Sequence, residues 1–274
     1  MILLDDTTPF MAEEEPITSS SNPPHTSSSE SFNTFFENWL REQNSHLEEL
    51  VTAANYNHNE NEIENENDAV LLQLIEKVVR HYEQYYRTKS DWEKRDAIAM
   101  HSPSWRSNLE DAFLWIGGWR PTLAIHLLYS KSGIQLDAKL GDLIRGITTG
   151  DLSDLAPKQM EKIDDLHRKT MVEKLAKVQE TAADRSMVEL SSAVSEMMRS
   201  GGGAGESEER VEEVLEVKNG EMEELLHRAD DLRLETLKAV IEILTPIQAA
   251  YFLIAAAELH LRLHEWGKKR GNKQ

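Results

Sequence analysis

From Phe32 to Ala54 the apolar residues Phe32, Phe35, Phe36, Trp39, Leu40, Leu47, Leu50 and Val51 recur three and four apart, and the same spacing returns in almost every later segment. That rhythm lines one face of an α-helix. No stretch alternates apolar and polar residues for long enough to make a sheet, so the chain reads as all-α, a single elongated helical bundle with long helices and polar linkers. From Asp68, read as an N-cap, Val70, Leu71, Leu74, Val78, Tyr82 and Tyr85 continue toward Met100 as one long helix ended by Pro103. Helix resumes near Pro157, which suits a first helical position, with Ile163, Leu166, Leu175 and Val178 behind it. Farther on, Met222, Leu225, Ala229, Leu232, Thr236, Ala239 and Ile243 alternate between spacings of three and four. Ala and Thr at alternate positions make a poor zipper and suit a bundle face. Thr245 and Pro246 start the last helix, and Gly267 is read as its close.

The segments between these patterns are polar. Residues 1–30 are rich in Ser, Pro and Glu with almost nothing to bury, so they read as a disordered tail. The helical domain is expected over residues 31–267, interrupted by an Asn/Glu linker near 55–68, a loop around 133–157 and a Gly-rich linker near 200–209. A basic tail, 268–274, follows. With 30 Lys+Arg against 49 Asp+Glu, the formal charge of -19 repels a polyanion, which argues against autonomous nucleic-acid binding. The absence of cysteine removes disulfides, thiolate metal sites and cysteine nucleophiles. Nothing reads as a signal peptide or a membrane span, and a soluble intracellular protein is expected.

The most apolar stretch, LWIGGWRPTLAIHLL (114–128), holds an adjacent glycine pair and a proline. A phosphate cradle there would need a preceding strand and a Lys with a hydroxyl at fixed offsets, and GGWRP has neither. A structural corner accounts for each residue. Ser107 and Glu110 form an S-x-x-E capping box, the helix it opens presents Ala112, Phe113, Leu114, Trp115 and Ile116, Gly117 and Gly118 supply left-handed geometry, and Pro121 begins the next helix. Trp115 and Trp119 would wall this bend. Arg120 is left with two readings, one capping carbonyls or stacking on an indole, the other binding a partner.

The run SPSWRSNLEDAFLWIGGWRP, with Trp105, Glu110, Trp115, Gly117, Gly118, Trp119, Arg120 and Pro121, resembles the central motif of the plant Delay of Germination domain. That domain occurs in seed-dormancy regulators and in the C-terminal half of TGA-type bZIP transcription factors. The resemblance extends to FNTFFENWL with Trp39, to HYEQYYRTK with His81 and Tyr82, to LAPKQMEKIDDL and to LTPIQAAYFLIAAAEL. It implies a helical regulatory domain rather than an enzyme, in the nucleus and cytoplasm. Its implied role is in seed dormancy or maturation and abscisic-acid signalling, through protein association and transcriptional control. Implied partners are clade A type-2C protein phosphatases or bZIP transcription factors, with homo-oligomerisation open. No basic region precedes the domain in this sequence, so DNA contact is expected only through a bZIP partner.

His260 and His264 lie four apart on one side of the last helix, facing its apolar stripe. They read either as hydrogen-bonded bundle residues or as a ligand site. The resemblance implies heme as a cofactor that is not required. Two side chains on one face of one helix cannot readily take opposite axial positions on one iron, so one would be proximal and the other auxiliary. Zinc is weaker, since H-x-x-x-H lacks the glutamate of a zincin and a third ligand. His81 reads as a packed or capping group rather than a catalytic base, and no triad accompanies the serines. The acidic run from Glu206 to Glu242 reads either as a solvated helix face or as a docking surface for a basic partner.

Overall fold

A computed structural model describes residues 26–59, 64–103, 105–132, 152, 154–180, 195 and 204–271. The expected all-α class holds. Among the described residues the helices follow in order: α1 Thr26–Asn59, α2 Glu64–Glu93, α3 Ala97–His101, α4 Asn108–Asp111, α5 Thr122–Lys131, α6 Pro157–Arg168, α7 Ala204–Ile243 and α8 Pro246–Gly271. A seven-residue π-helical stretch, Lys169–Leu175, extends α6 and leads back to α-helix through residue 180. At 1.5 Å per residue, the 40-residue α7 is about 60 Å long. Helices α1, α2 and α8 pack on one another, while α7 packs on α2, α3, α5 and α6.

A large apolar core runs through this arrangement, with a smaller cluster of Trp115, Leu175, Ala229 and Leu232 beside the bend. Phe32, Phe36, Trp39 and Leu50 of α1 meet Leu71, Val78, Tyr82 and Tyr85 of α2 and Phe252, Leu253 and Leu259 of α8. Rings dominate its centre: Phe32 lies 4.8 Å from Trp105 between centroids, and Trp39 stacks on His81 at 4.7 Å with 2° between their planes. The start of α6 is tied to the α7–α8 bend. Gln159 donates to the carbonyl of Ile243 and to Gln248 Oε1 (2.9 and 2.8 Å), and that same oxygen accepts from the Thr245 N–H at 3.0 Å. Pro246 opens α8 as expected.

Several boundaries differ from the sequence reading. The second helix begins at Glu64 rather than Asp68 and stops at Glu93; Asp96 then caps the short α3, accepting from the Ala99 N–H at 2.9 Å. Helices α1 and α2 reach into the 55–68 segment, α7 opens at Ala204 inside the 200–209 segment, and α1 opens at Thr26, inside the N-terminal segment. Residues 1–25, 60–63, 133–151, 200–203 and 272–274 lie outside the described residues.

Gly267 does not end the last helix, which continues to Gly271. It is buried because the α8 backbone lies against α4: a Cβ there would meet Ser107 Oγ at 1.9 Å. The buried face of α7 is wider than the expected seam. Ala229, Leu232 and Thr236 are buried as expected, and Leu226, Asp230, Arg233, Leu237 and Val240 are buried beside them.

Candidate functional site

The tryptophan-walled bend differs in detail from the expected helix–helix corner. The capping box forms: the Ser107 N–H and hydroxyl donate to Glu110 Oε2 at 2.8 and 2.7 Å, and the Glu110 N–H donates back to Ser107 Oγ at 3.3 Å. The helix it opens lasts only from Asn108 to Asp111, so it does not carry Phe113 to Ile116. Leu114–Trp115 and Gly118–Trp119 instead pair as a two-residue antiparallel ladder. Its turn residues, Ile116 (φ 46°) and Gly117 (φ 67°), are both left-handed, as in the mirror-image turns that suit the twist of a tight hairpin. A β-branched residue in that region is strained, so something outside the turn must hold it.

Arg233 holds it. This side chain of α7 is fully buried and donates to three carbonyls of the hairpin: from Nε to Trp119 at 2.6 Å, and from Nη2 to Ile116 at 2.7 Å and to Trp115. Its Nη1 donates to Asp230, one turn earlier on α7. Asp230 in turn accepts from Lys89 Nζ of α2 at 2.5 Å, and Lys89 pairs with Glu93 Oε1 at 2.8 Å. The four charges alternate in sign and cancel, which is the condition under which buried ions are tolerated. Burial pushes the Glu93 carboxyl upward, and Lys89 opposes it.

Gly118 is the residue that lets the guanidinium in. A Cβ there would lie 2.7 Å from Arg233 Cζ. On the adjoining side, the Trp119 Nε1–H donates to the Tyr86 hydroxyl at 2.8 Å. Among the described residues Arg120 shows neither a carbonyl cap nor an indole contact, and its Nε has no hydrogen-bond partner. Pro121 precedes the first residue of α5.

Helix α8 grips the same region from the other side. His264 Nδ1 lies 2.8 Å from Glu110 Oε1, and its Nε2 faces Glu37 at 3.4 Å. Burial alone would raise the Glu110 carboxyl, but the hydrogen bonds from His264 and Ser107 prevail and hold it at about 2. His260, one turn back, makes ring contacts with Phe36 and Trp39, and burial lowers it to about 4. His81 is lowered to about 4 in the same way, between the Trp39 ring and His46. Tyr82 accepts from Gln43 at 3.0 Å, and the Trp105 Nε1 has no partner among the described residues.

Heme is tested by this geometry. A carboxylate-tethered imidazole such as His264 is the right donor chemistry for a metal. The space is wrong. His264 does not line the cavity beside it, and the cavity that His260 does line measures about 130 Å³, below the ~300–1,000 Å³ common for ligand pockets. As arranged, the two histidines do not fit a heme. Hemin added to the protein is expected to give no Soret band saturating at one equivalent, and such a band lost in His260→Ala would contradict this. Among the described residues no three His, Asp or Glu side chains converge as metal ligands.

The residues that sequence reading missed are Lys89, Glu93, Asp230 and Arg233. A signal existed in the sequence: Lys89 and Glu93 are four apart, and Asp230 and Arg233 three apart, each pair with opposite charges on an apolar stripe.

Comparisons with known proteins now bear on the assignment. Residues 46–130, which include the whole bend, match the DOG1 family model for seed dormancy control. The chain is 32% identical to Protein DOG1-like 3 of Arabidopsis thaliana, over 85% of this chain and 82% of the relative. It belongs to the DOG1 family. Protein DOG1-like 1 of the same plant is 33% identical over 87% of the chain and 89% of its own length. Transcription factor HBP-1b(c1) of Triticum aestivum is 27% identical over 85% of the chain but 43% of its own length. The DOG1 family match thus covers the bend, while Arg233 and His264, which clamp it, lie beyond the matched residues.

The buried histidines set a pH dependence. His81 and His260 have folded pKa values below the ordinary 6.5, so the unfolded chain takes up protons first and stability falls as pH drops from about 6.5 toward 4. Glu110 adds a loss below about 4.5, and Glu93, raised by burial, runs the other way. Urea midpoints at about pH 7.5 and about pH 4.5 check this. His81→Phe is expected to flatten the decline by about 2–3 kcal/mol; an unchanged slope would contradict the assignment.

Proposed function

We propose that this protein is a non-catalytic regulator of seed dormancy or maturation and of abscisic-acid responses, acting by protein association in the nucleus and cytoplasm. The observation that carries the reading is similarity along most of the chain to stand-alone DOG1-like proteins, together with 26% identity over 90% of the chain to Protein RESPONSE TO ABA AND SALT 1 of Arabidopsis thaliana. The buried charges support it. Lys89, Asp230 and Arg233 bond to one another and to the hairpin carbonyls, with Glu93 ion-paired to Lys89, which makes these four residues a structural clamp rather than a poised nucleophile and base. Among the described residues, no helix is long and apolar enough to cross a membrane.

The partner is a clade A type-2C protein phosphatase or a bZIP transcription factor, held by helix faces of the bundle. Similarity to the TGACG-sequence-specific DNA-binding protein TGA-2.1 of Nicotiana tabacum, over 45% of that protein's length, favours bZIP proteins as one class of partner. Any contact with DNA then runs through that partner, because the -19 charge opposes direct binding. Titration of the purified chain with a purified phosphatase of that clade and with a TGA-type bZIP protein tests the reading. Saturable binding to either supports it. Failure of both, or ATP turnover by the protein alone, would overturn it.

A further inference from the structure

The cavity of about 130 Å³ sits where α1, α2, the hairpin, α5, α7 and α8 meet. Trp39, Tyr85, Phe113, Trp119, Leu127 and Phe252 give it largely apolar walls. Its charged groups fall into two kinds. Lys89, Asp230 and Glu110 are already engaged, by each other, by Glu93 and Arg233, or by Ser107 and His264.

Arg106 and His260 are not engaged in that way. Arg106 donates to the Tyr85 hydroxyl at 3.2 Å and lies 5.6 Å from the Phe36 ring centroid, but its Nε has no acceptor among the described residues. No carboxylate pairs with it among the described residues. His260 touches Phe36 and Trp39 through its ring and lines the same cavity as Arg106. A guanidinium against aromatic rings without a counter-charge is costly, and an anion brought to it relieves that cost.

Size limits what fits. An apolar cavity of roughly 150 Å³ accommodates benzene, so one ring is about the capacity here. We propose that this cavity is a binding site for a small monocyclic aromatic carboxylate, its carboxylate on Arg106 and His260 and its ring among Trp39, Tyr85, Phe113 and Phe252. The ligand would bridge α1, α2, the hairpin and α8 without displacing the Arg233 clamp. The proposal does not depend on which protein the bundle associates with.

The probe is sodium benzoate, titrated into the full chain by calorimetry and by saturation-transfer NMR, with benzyl alcohol as the uncharged ring of like size. Benzoate is expected to bind saturably at one site, about tenfold or more tighter than benzyl alcohol, as a hydrogen bond to a charged group requires. Arg106→Met is expected to remove that preference. Ala256→Phe, which fills the cavity from α8, is expected to abolish both. Absence of saturable benzoate binding to the wild-type chain overturns the proposal, as does equal affinity for the two probes or unchanged benzoate affinity in Arg106→Met. The wild-type comparison stands even if Ala256→Phe fails to fold.

Discussion

Arg233→Ala is expected to lower the unfolding free energy by about 3–5 kcal/mol, read as a fall in the urea midpoint. Two separate losses add in this variant. Asp230 keeps its charge with one of its two cations gone, and the carbonyls of Trp115, Ile116 and Trp119 lose their donor in a buried site. A second substitution separates the two. In Asp230→Leu/Arg233→Ala the stranded carboxylate is gone and Lys89 still pairs with Glu93, so part of the loss returns. The rest does not return, because no new donor reaches the hairpin. A typical domain has only about 5–15 kcal/mol in reserve, so the single variant is expected to lose a large share of it while still giving a measurable urea transition. A midpoint within experimental error of the wild type would show that the guanidinium is not what holds the turn.

The glycines of the protein divide sharply in what they tolerate. Gly117→Ala is expected to cost about 2–4 kcal/mol, from a strained left-handed φ and from overpacking. Its Cβ would sit 2.5 Å from Leu226 Cδ2 and 3.0 Å from the carbonyl oxygen of Met100, and that backbone atom cannot move aside without disturbing α3. Gly220, inside α7, has nothing within 4 Å of where a methyl group would sit. There the usual helix preference applies, and Gly220→Ala is expected to stabilise by about 0.5–1 kcal/mol. Thermal melting of the two variants beside the wild type should move in opposite directions. Equal effects at both positions would contradict the tight hairpin.

What is legible in the sequence is local. The helical class and the Ser107–Glu110 box follow from spacing and residue type, and both hold; of the two glycines expected in the left-handed region Gly117 is there, while Gly118 lies in the ladder and Ile116 takes the other left-handed position. The hairpin itself is hidden because it is two residues per strand, too short for any period to register. The buried face of α7 is broader than its expected stripe for a different reason. A reading that keeps charge out of the core finds Ala229, Leu232 and Thr236, which are buried, but passes over Asp230 and Arg233, and only tertiary partners from α2 and the hairpin justify burying the latter pair.

Gly267 shows the same limit. A glycine followed by Lys268 and Lys269 looks like a helix end, yet it is present because Ser107, far away in sequence, occupies the space a side chain would take. The spacing places His264 on the apolar side, but it assigns Glu110, the partner of that histidine, only to the capping box. One carboxylate serves both, with Oε2 toward Ser107 and Oε1 toward His264.

The central claim is that the guanidinium of Arg233 lies against the hairpin where Gly118 leaves room for it. A double-mutant cycle on Gly118→Ala and Arg233→Ala measures this directly by urea denaturation. Gly118→Ala should be costly in the wild-type chain and nearly free once Arg233 is truncated, giving a coupling of about 1 kcal/mol or more. Additivity within about 0.5 kcal/mol would place the two groups apart and contradict the account.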